Sequence, residues 1–144
     1  MPQTTLNASL AVHISSSSPT TNYEGVSAQV DVGTLGGEKR RGLIKFDFSS
    51  IPTNATVTSV SFKFYNQGTD LTDNARTMRA YRVVRAWVEN ETTWNVYSTG
   101  NSWGTAGCSN TSNDREASEL GTLSVTNPPS TGYMTSTFSN SKIQ

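Results

Sequence analysis

Histidine and cysteine, two residue types that often take part in covalent catalysis, are scarce in this chain. It contains one histidine, His13, and one cysteine, Cys108. A Ser-His-Asp site needs the histidine as a base, with a nucleophile and an orienting carboxylate nearby in space. Cys108 lies in GTAGCSN, without flanking basic residues to lower its thiol pKa. A thiolate–imidazole pair is the alternative, but we predict structural roles for both residues and no enzyme.

Acidic residues offer a second kind of chemistry. Glu89 and Glu91 are the candidates for glycoside hydrolysis, which needs two carboxyl groups flanking a scissile bond. They lie close together where a predicted strand ends, and no cleft can be inferred around them. We therefore expect solvated acids, or carboxylates paired with Arg82 or Arg85.

Two loops contain possible metal ligands. One holds Asp70 and Asp73, and the other holds Asn113, Asp114 and Glu116. Neither has the ligand spacing of a helix-flanked calcium loop. We predict no cofactor, and a calcium ion held by scattered loop oxygens remains the open alternative.

Residues suited to binding a ligand are better represented. GEKRRG places Lys39, Arg40 and Arg41 at a predicted hairpin turn, and Lys45 follows on the outward face of the next strand. The planar guanidinium group of arginine can donate two hydrogen bonds to one carboxylate, so this cluster is a candidate binding site for an acidic polysaccharide. The alternative is a solubilising turn or an edge protected against strand addition.

Aromatic residues in a long polar segment extend this candidate site. Tyr97 and Trp103, in NVYSTGNSW, are predicted to form an exposed platform on which a sugar face can stack. Trp87 and Trp94 are expected to pin the segment to the scaffold instead. The predicted glycan-binding residues are Lys39, Arg40, Arg41, Lys45, Tyr97 and Trp103.

Short strands separated by turns must position these residues. The stretch GLIKFDFSSIP alternates, with Ile44, Phe46 and Phe48 on one face, and a proline ends the pattern. Phe62 and Phe64 alternate in the same way in VTSVSFKFYN, so the four phenylalanines are predicted to be core. Strands are predicted in LAVHIS, SAQVDVG, LIKFDF, VTSVSFKFYN, TMRAYRVVRAW, LGTLSV and YMTSTF, with a turn in GTLGGEKRRG and a long loop at 88–118.

This spacing predicts an all-β protein, an antiparallel β-sandwich of jelly-roll type with one long aromatic-containing loop. The 144 residues fit one domain over 1–144. Acids and bases balance at 11 each, so no global field would attract nucleic acid. No 18-residue apolar span and no secretory signal pattern are present in the sequence, and we expect no membrane insertion.

Three stretches resemble successive motifs of the DNRLRE domain family, to which carbohydrate-binding module family 96 is similar. They are ISSSSPTTNYEG (14–25), RGLIKFDFSSIPTNATVTSVSFKFY (41–65) and YRVVRAWVENETTWNVYSTGNSW (81–103). The resemblance covers about residues 11 to 144 and implies a jelly-roll sandwich that binds or spaces rather than catalyses. This chain lacks the acidic residue that the family often has near Ala11, which argues against a cation there.

The resemblance also implies that the module continues past residue 144 through a short helix and further strands. SNSKIQ is expected to begin that helix, with Ser139 or Asn140 as its N-cap. A helix of a few residues is not stable alone, so the sandwich is expected to be C-terminally incomplete.

Three functions follow from these observations. The first expectation is a virion structural, decoration or fibre component that also adheres to glycans, with other virion or surface proteins as partners. The alternative is a carbohydrate-binding module of a secreted polysaccharide-degrading enzyme or a cell-surface adhesin, with an acidic polysaccharide as ligand. The third is a passive spacer. Each places the chain on a virion surface or outside the cell.

Overall fold

The computed structural model describes residues 3–26, 29–67, 75–125 and 131–139, which form strands and no helix. The sheets β1–β3–β2, β4–β9 and β6–β7 are antiparallel, and β5 neighbours β8. This confirms the predicted all-β class, whereas the jelly-roll arrangement stays a prediction. The strands are β1 (Ala8–Ser15), β2 (Gly33–Leu35), β3 (Glu38–Phe46), β4 (Val60–Asn66), β5 (Arg76–Val83), β6 (Val96–Ser98), β7 (Asn101–Ser102), β8 (Arg115–Val125) and β9 (Gly132–Phe138).

The chain forms two compact units. The first comprises residues 1–55 and 83–115, and the second comprises residues 56–82 and 116–144. The first unit holds the β1–β3–β2 sheet and the β6–β7 hairpin, and the second holds the β4–β9 pair and nearly all of β5 and β8. The single module expected over residues 1–144 stays a prediction.

A two-residue turn joins β2 to β3. Gly36 and Gly37 have φ values of 57° and 89°, which only glycine adopts without strain, and Leu35 pairs with Glu38 across the turn. The predicted glycine turn is therefore confirmed, although the residues on either side of it are strands.

The strand predicted in SAQVDVG is wrong for its described residues, because 29–32 form no strand and β2 begins at Gly33. The two valines of this segment pack against β3 instead of pairing with it. At Gly42 an added Cβ would lie 2.6 Å from Val30 Cγ1 and 3.2 Å from Val32 Cγ2. The apolar alternation therefore reflects packing over a glycine.

The core of the first unit contains Val12 and Ile14 of β1 and Leu43 of β3, which are at most 4% exposed. The prediction for this stretch had the wrong face, since Ile44 of β3 and Phe48 beyond its end are 38% and 47% exposed and Phe46 is only half-buried. Alternation separates two faces of a strand but does not say which one is covered. Here the segment of residues 84–114 covers the face of Leu43.

The second unit has a phenylalanine stack on one face of the β4–β9 pair. Phe62 lies 5.9 Å from Phe64 and 5.4 Å from Phe138, measured between ring centroids, and all three are half-buried. The alternation predicted for Phe62 and Phe64 is confirmed. An added Cβ at Gly121 of β8 would lie 2.7 Å from Phe138 Cδ1, so a glycine is needed where β8 approaches this ring.

Within the four described ranges, the chain has no helix with the length and apolar character needed to span a bilayer. The helix predicted from Ser139 falls on residues outside those ranges, apart from Ser139 itself. Asp70 and Asp73, considered above as metal ligands, also lie outside the described ranges.

Candidate functional site

One buried carboxylate organises the long loop, which we define as residues 84–114. Asp114 is fully buried; its Oδ1 accepts the N–H of Gly104 at 2.8 Å, and its Oδ2 accepts those of Thr105 and Asn110, both at 3.1 Å. Arg85 Nε lies 3.3 Å from Oδ1. Burial alone raises the pKa of Asp114, but the three amide donors and the Arg85 charge lower it by more, so the pKa lies below its ordinary value.

Contacts of this kind occupy the acidic side chains of the loop with Asn113, Asp114 and Glu116, which was considered above as a calcium site. Both oxygens of Asp114 accept bonds from protein donors, and Glu116 lies 3.4 Å from Arg82. In the described part of the chain, no three acidic, histidine or cysteine side chains come together as a metal-binding group.

The two glutamates considered for glycoside hydrolysis hold separate backbone amides. Glu89 Oε1 accepts the N–H of Ala11 at 2.7 Å, and Glu91 Oε2 accepts that of Thr99 at 2.7 Å. The pairing expected with Arg82 or Arg85 is wrong, since those arginines bind Glu116 and Asp114. Glu89 thus links the long loop to β1, and Glu91 links two parts of the long loop.

His13 and Cys108 have the structural roles predicted for them. His13 is 3% exposed and its ring stacks on Tyr23 with 4.3 Å between centroids. Cys108 is also buried, and its Sγ donates a weak hydrogen bond to the carbonyl oxygen of Asp114. Burial, with the nearby Asp114 charge, raises the pKa of the Cys108 thiol to about 12.

The folded protein is therefore expected to resist thiol reagents. At pH 8 Cys108 stays protonated and enclosed, so 5,5′-dithiobis(2-nitrobenzoate) should release negligible chromophore from native protein and one equivalent from protein in urea. Complete labelling of the native protein within minutes would contradict this burial.

The structure does not assemble the predicted basic cluster. Arg40 and Arg41 are neighbours on a strand and point to opposite faces. Arg40 lies 2.7 Å from Glu38 and 2.6 Å from Asp31. The bond from Arg40, followed by one from Ser15, lowers the pKa of Glu38 to about 2. The positive charge of Arg40 is therefore balanced by the two carboxylates of Glu38 and Asp31 in the first unit.

Arg41 is used to hold the long loop. Its guanidinium carbon lies 5.0 Å from the ring centroid of Trp94, and its Nη1 donates hydrogen bonds to Gly107 O and Ser109 Oγ. Lys39 and Lys45 are the two exposed members of the cluster. They are six positions apart along the strand, which is roughly 20 Å.

The prediction that Trp103 forms part of an exposed aromatic platform is wrong. This side chain is 5% exposed, belongs to the core cluster, and donates its indole N–H to Thr93 O at 3.0 Å. Tyr97 is half-buried, with its ring centroid 5.6 Å from that of Trp103 and 4.7 Å from the Arg85 guanidinium carbon. Trp87 and Trp94 pack against the same core, as expected of residues that pin the loop.

The structure brings together a surface that the sequence analysis did not single out. Tyr65 of β4 lies directly opposite Tyr133 of β9, with centroids 5.2 Å apart and rings at 79°. Lys63 Nζ lies 4.4 Å from the Tyr133 centroid. We call the outward residues of this pair of strands the tyrosine face: Ser61, Lys63, Tyr65, Tyr133, Thr135 and Thr137.

A signal for half of this face was present in the sequence. In VSFKFYN, Tyr65 is out of phase with Phe62 and Phe64, so alternation places it outward. What the sequence lacked was the partner strand, because β9 lies far along the chain from β4.

The searches of curated proteins and of solved structures return no match to this chain. The sequence profile of carbohydrate-binding module family 96 matches residues 2–117, which confirms the resemblance to that family. Carbohydrate-binding modules are non-catalytic, which confirms that the chain is not an enzyme, and they are usually extracellular. The DNRLRE name and the occurrence in virions stay predictions. Since the profile matches most of the sequence, the chain belongs to carbohydrate-binding module family 96.

Proposed function

We propose that this chain binds a polysaccharide without altering it, as a module of a secreted polysaccharide-degrading enzyme or a surface adhesin. The observation that carries the proposal is the family match over residues 2–117. The match favours this function over the virion component placed first by the sequence analysis, because a family of carbohydrate binders points to a glycan and not to a particle.

The ligand that we propose is an acidic polysaccharide. Lys39 and Lys45 are exposed on β3, and Lys63 is exposed on β4. An exposed ammonium group attracts a uronate carboxylate, and salt screens this attraction. Arg40 and Arg41 contribute less, since Glu38, Asp31 and the long loop already engage them.

Affinity gel electrophoresis tests the proposal. We expect gels containing a uronic-acid polymer to retard the protein, and 0.5 M NaCl to weaken that retardation. Neutral polymers should retard it less. Lys39→Ala, Lys45→Ala and Lys63→Ala, made one at a time, should each weaken binding by at most about fivefold where the ammonium group contacts the polymer, since each exposed ion pair contributes about 0–1 kcal/mol.

Two results would contradict this proposal in different ways. Migration unaffected by every polymer would favour the passive spacer. Equal, salt-insensitive retardation by neutral and acidic polymers would keep glycan binding and remove the acidic ligand.

A further inference from the structure

Two tyrosines lie side by side on the surface of the second unit. Tyr65 is 53% exposed and Tyr133 is 70% exposed, although each is on a regular strand. Single exposed apolar side chains are common, but adjacent exposed aromatic rings mark binding surfaces. Both strands belong to one unit, so this surface is built within that unit.

The composition of the tyrosine face suits a sugar polymer better than a protein. Beyond the two rings, its outward positions carry Lys63 and the hydroxyls of Ser61, Thr135 and Thr137, and no aliphatic side chain. The core of a protein interface is depleted in charged residues, which does not fit Lys63 at the centre. Rings stack on the C–H face of a pyranose, while hydroxyls and an ammonium group bind its polar rim.

The geometry of the rings sets how a sugar can lie. At 79° to each other, the two rings form a corner, so one ring can lie under a pyranose while the other stands against its edge. Lys63 Nζ lies over one face of the Tyr133 ring, 4.4 Å from its centroid, so a pyranose would stack on Tyr65 or on the other face of Tyr133, with the Lys63 charge nearby. Thr135 and Thr137 continue the face along β9, over about 13 Å from Tyr133.

We propose that the tyrosine face is a binding surface for an acidic polysaccharide, which lies along β4 and β9 with one pyranose on the tyrosine pair and its carboxylate beside Lys63. This inference rests on the proposed function and names its site. The family match ends at residue 117, before β9 begins, so the match does not assign this surface.

Single substitutions test the site by isothermal titration with a polyuronate oligosaccharide. Tyr133→Ala and Tyr65→Ala should each weaken binding about tenfold, because each removes one wall of the corner. Tyr133→Phe and Tyr65→Phe keep the rings and should stay within about threefold of the wild type. Lys63→Ala should make binding less sensitive to salt.

A second measurement needs no variant. Nitration of wild-type protein with tetranitromethane, mapped by mass spectrometry, should modify Tyr65 and Tyr133. Saturating polyuronate should protect both and leave the labelling of other tyrosines unchanged. Equal labelling with and without the polymer would overturn the site even where an alanine variant fails to fold.

The outcomes separate the site from the function. Wild-type binding with unchanged affinity in a folded Tyr65→Ala/Tyr133→Ala variant would overturn the site and keep the function, and a loss in Lys39→Ala or Lys45→Ala would then place binding on β3. No binding by the wild type would overturn both proposals. A wild-type dimer that this tyrosine variant makes monomeric, with binding intact, would assign the face to self-association.

Discussion

Replacing Asp114 by asparagine is expected to lower the free energy of unfolding by about 3–5 kcal/mol. The wild-type carboxylate accepts three backbone N–H groups and faces the Arg85 guanidinium. Asparagine has the same size, but one of its two terminal atoms is a donor. In the variant, at least one backbone N–H that the carboxylate accepts in the wild type would face the NH₂ group of asparagine, with no acceptor inside the fold.

Urea unfolding followed by tryptophan fluorescence measures this loss where it arises. The three tryptophans, Trp87, Trp94 and Trp103, all lie in the first unit with Asp114. For a slope of about 1–3 kcal/mol/M, the midpoint should fall by at least about 1 M. Asp31→Asn is the matched control in the same unit, since Asp31 pairs with Arg40 at the surface and should change stability by less than about 1 kcal/mol.

The pH dependence of the free energy of unfolding tests the same role of Asp114 independently. The pKa of Asp114 is lowered on folding, so the carboxylate stabilises the fold above its unfolded value of about 3.8, and this stabilisation is lost as pH falls through the folded value. The difference between wild type and Asp114→Asn should therefore shrink as the pH falls below 3.8. A constant difference down to pH 2, or equal stability at pH 7, would contradict the role given to this carboxylate.

Local pattern predicted those features that depend on neighbouring residues. Alternation in VSFKFYN placed Phe62 and Phe64 on the less exposed face of β4, and Gly36-Gly37 marked a hairpin turn. Both follow from backbone geometry over a few residues. The class of the fold needed nothing more, because short alternating strands with turns admit few other architectures.

What the sequence could not supply depends on contacts between distant segments. Trp103 is buried because the long loop folds back onto β1 and β3, and no pattern within NVYSTGNSW records that path. The same loop decides that Leu43, and not Ile44, faces the core. Tyr65 and Tyr133 meet only through the β4–β9 register. Candidate binding residues chosen by type were therefore partly structural, and the exposed pair was missed.

Gly107 offers the second large effect, because it combines an unusual backbone conformation with a lack of space. Its φ is 78°, and an added Cβ would lie 2.6–2.9 Å from three atoms of the Trp94 ring. Its N–H donates to Trp94 O at 2.6 Å, and its carbonyl oxygen accepts from Arg41. The backbone is thus fixed on both sides, so an added methyl group must displace the indole.

We expect Gly107→Ala to lower the free energy of unfolding by about 3 kcal/mol, of which about 1–2 comes from the left-handed backbone and the rest from overpacking. Gly100→Ala separates these contributions, since Gly100 has a φ of 74° and open space at its Cβ position. It should cost only the backbone part. Because Trp94 would also leave the Arg41 guanidinium, its fluorescence spectrum should shift in native Gly107→Ala and not in Gly100→Ala. Equal losses in the two variants, with unchanged spectra, would show that the indole yields freely and that the Arg41–Trp94 contact does not hold the loop.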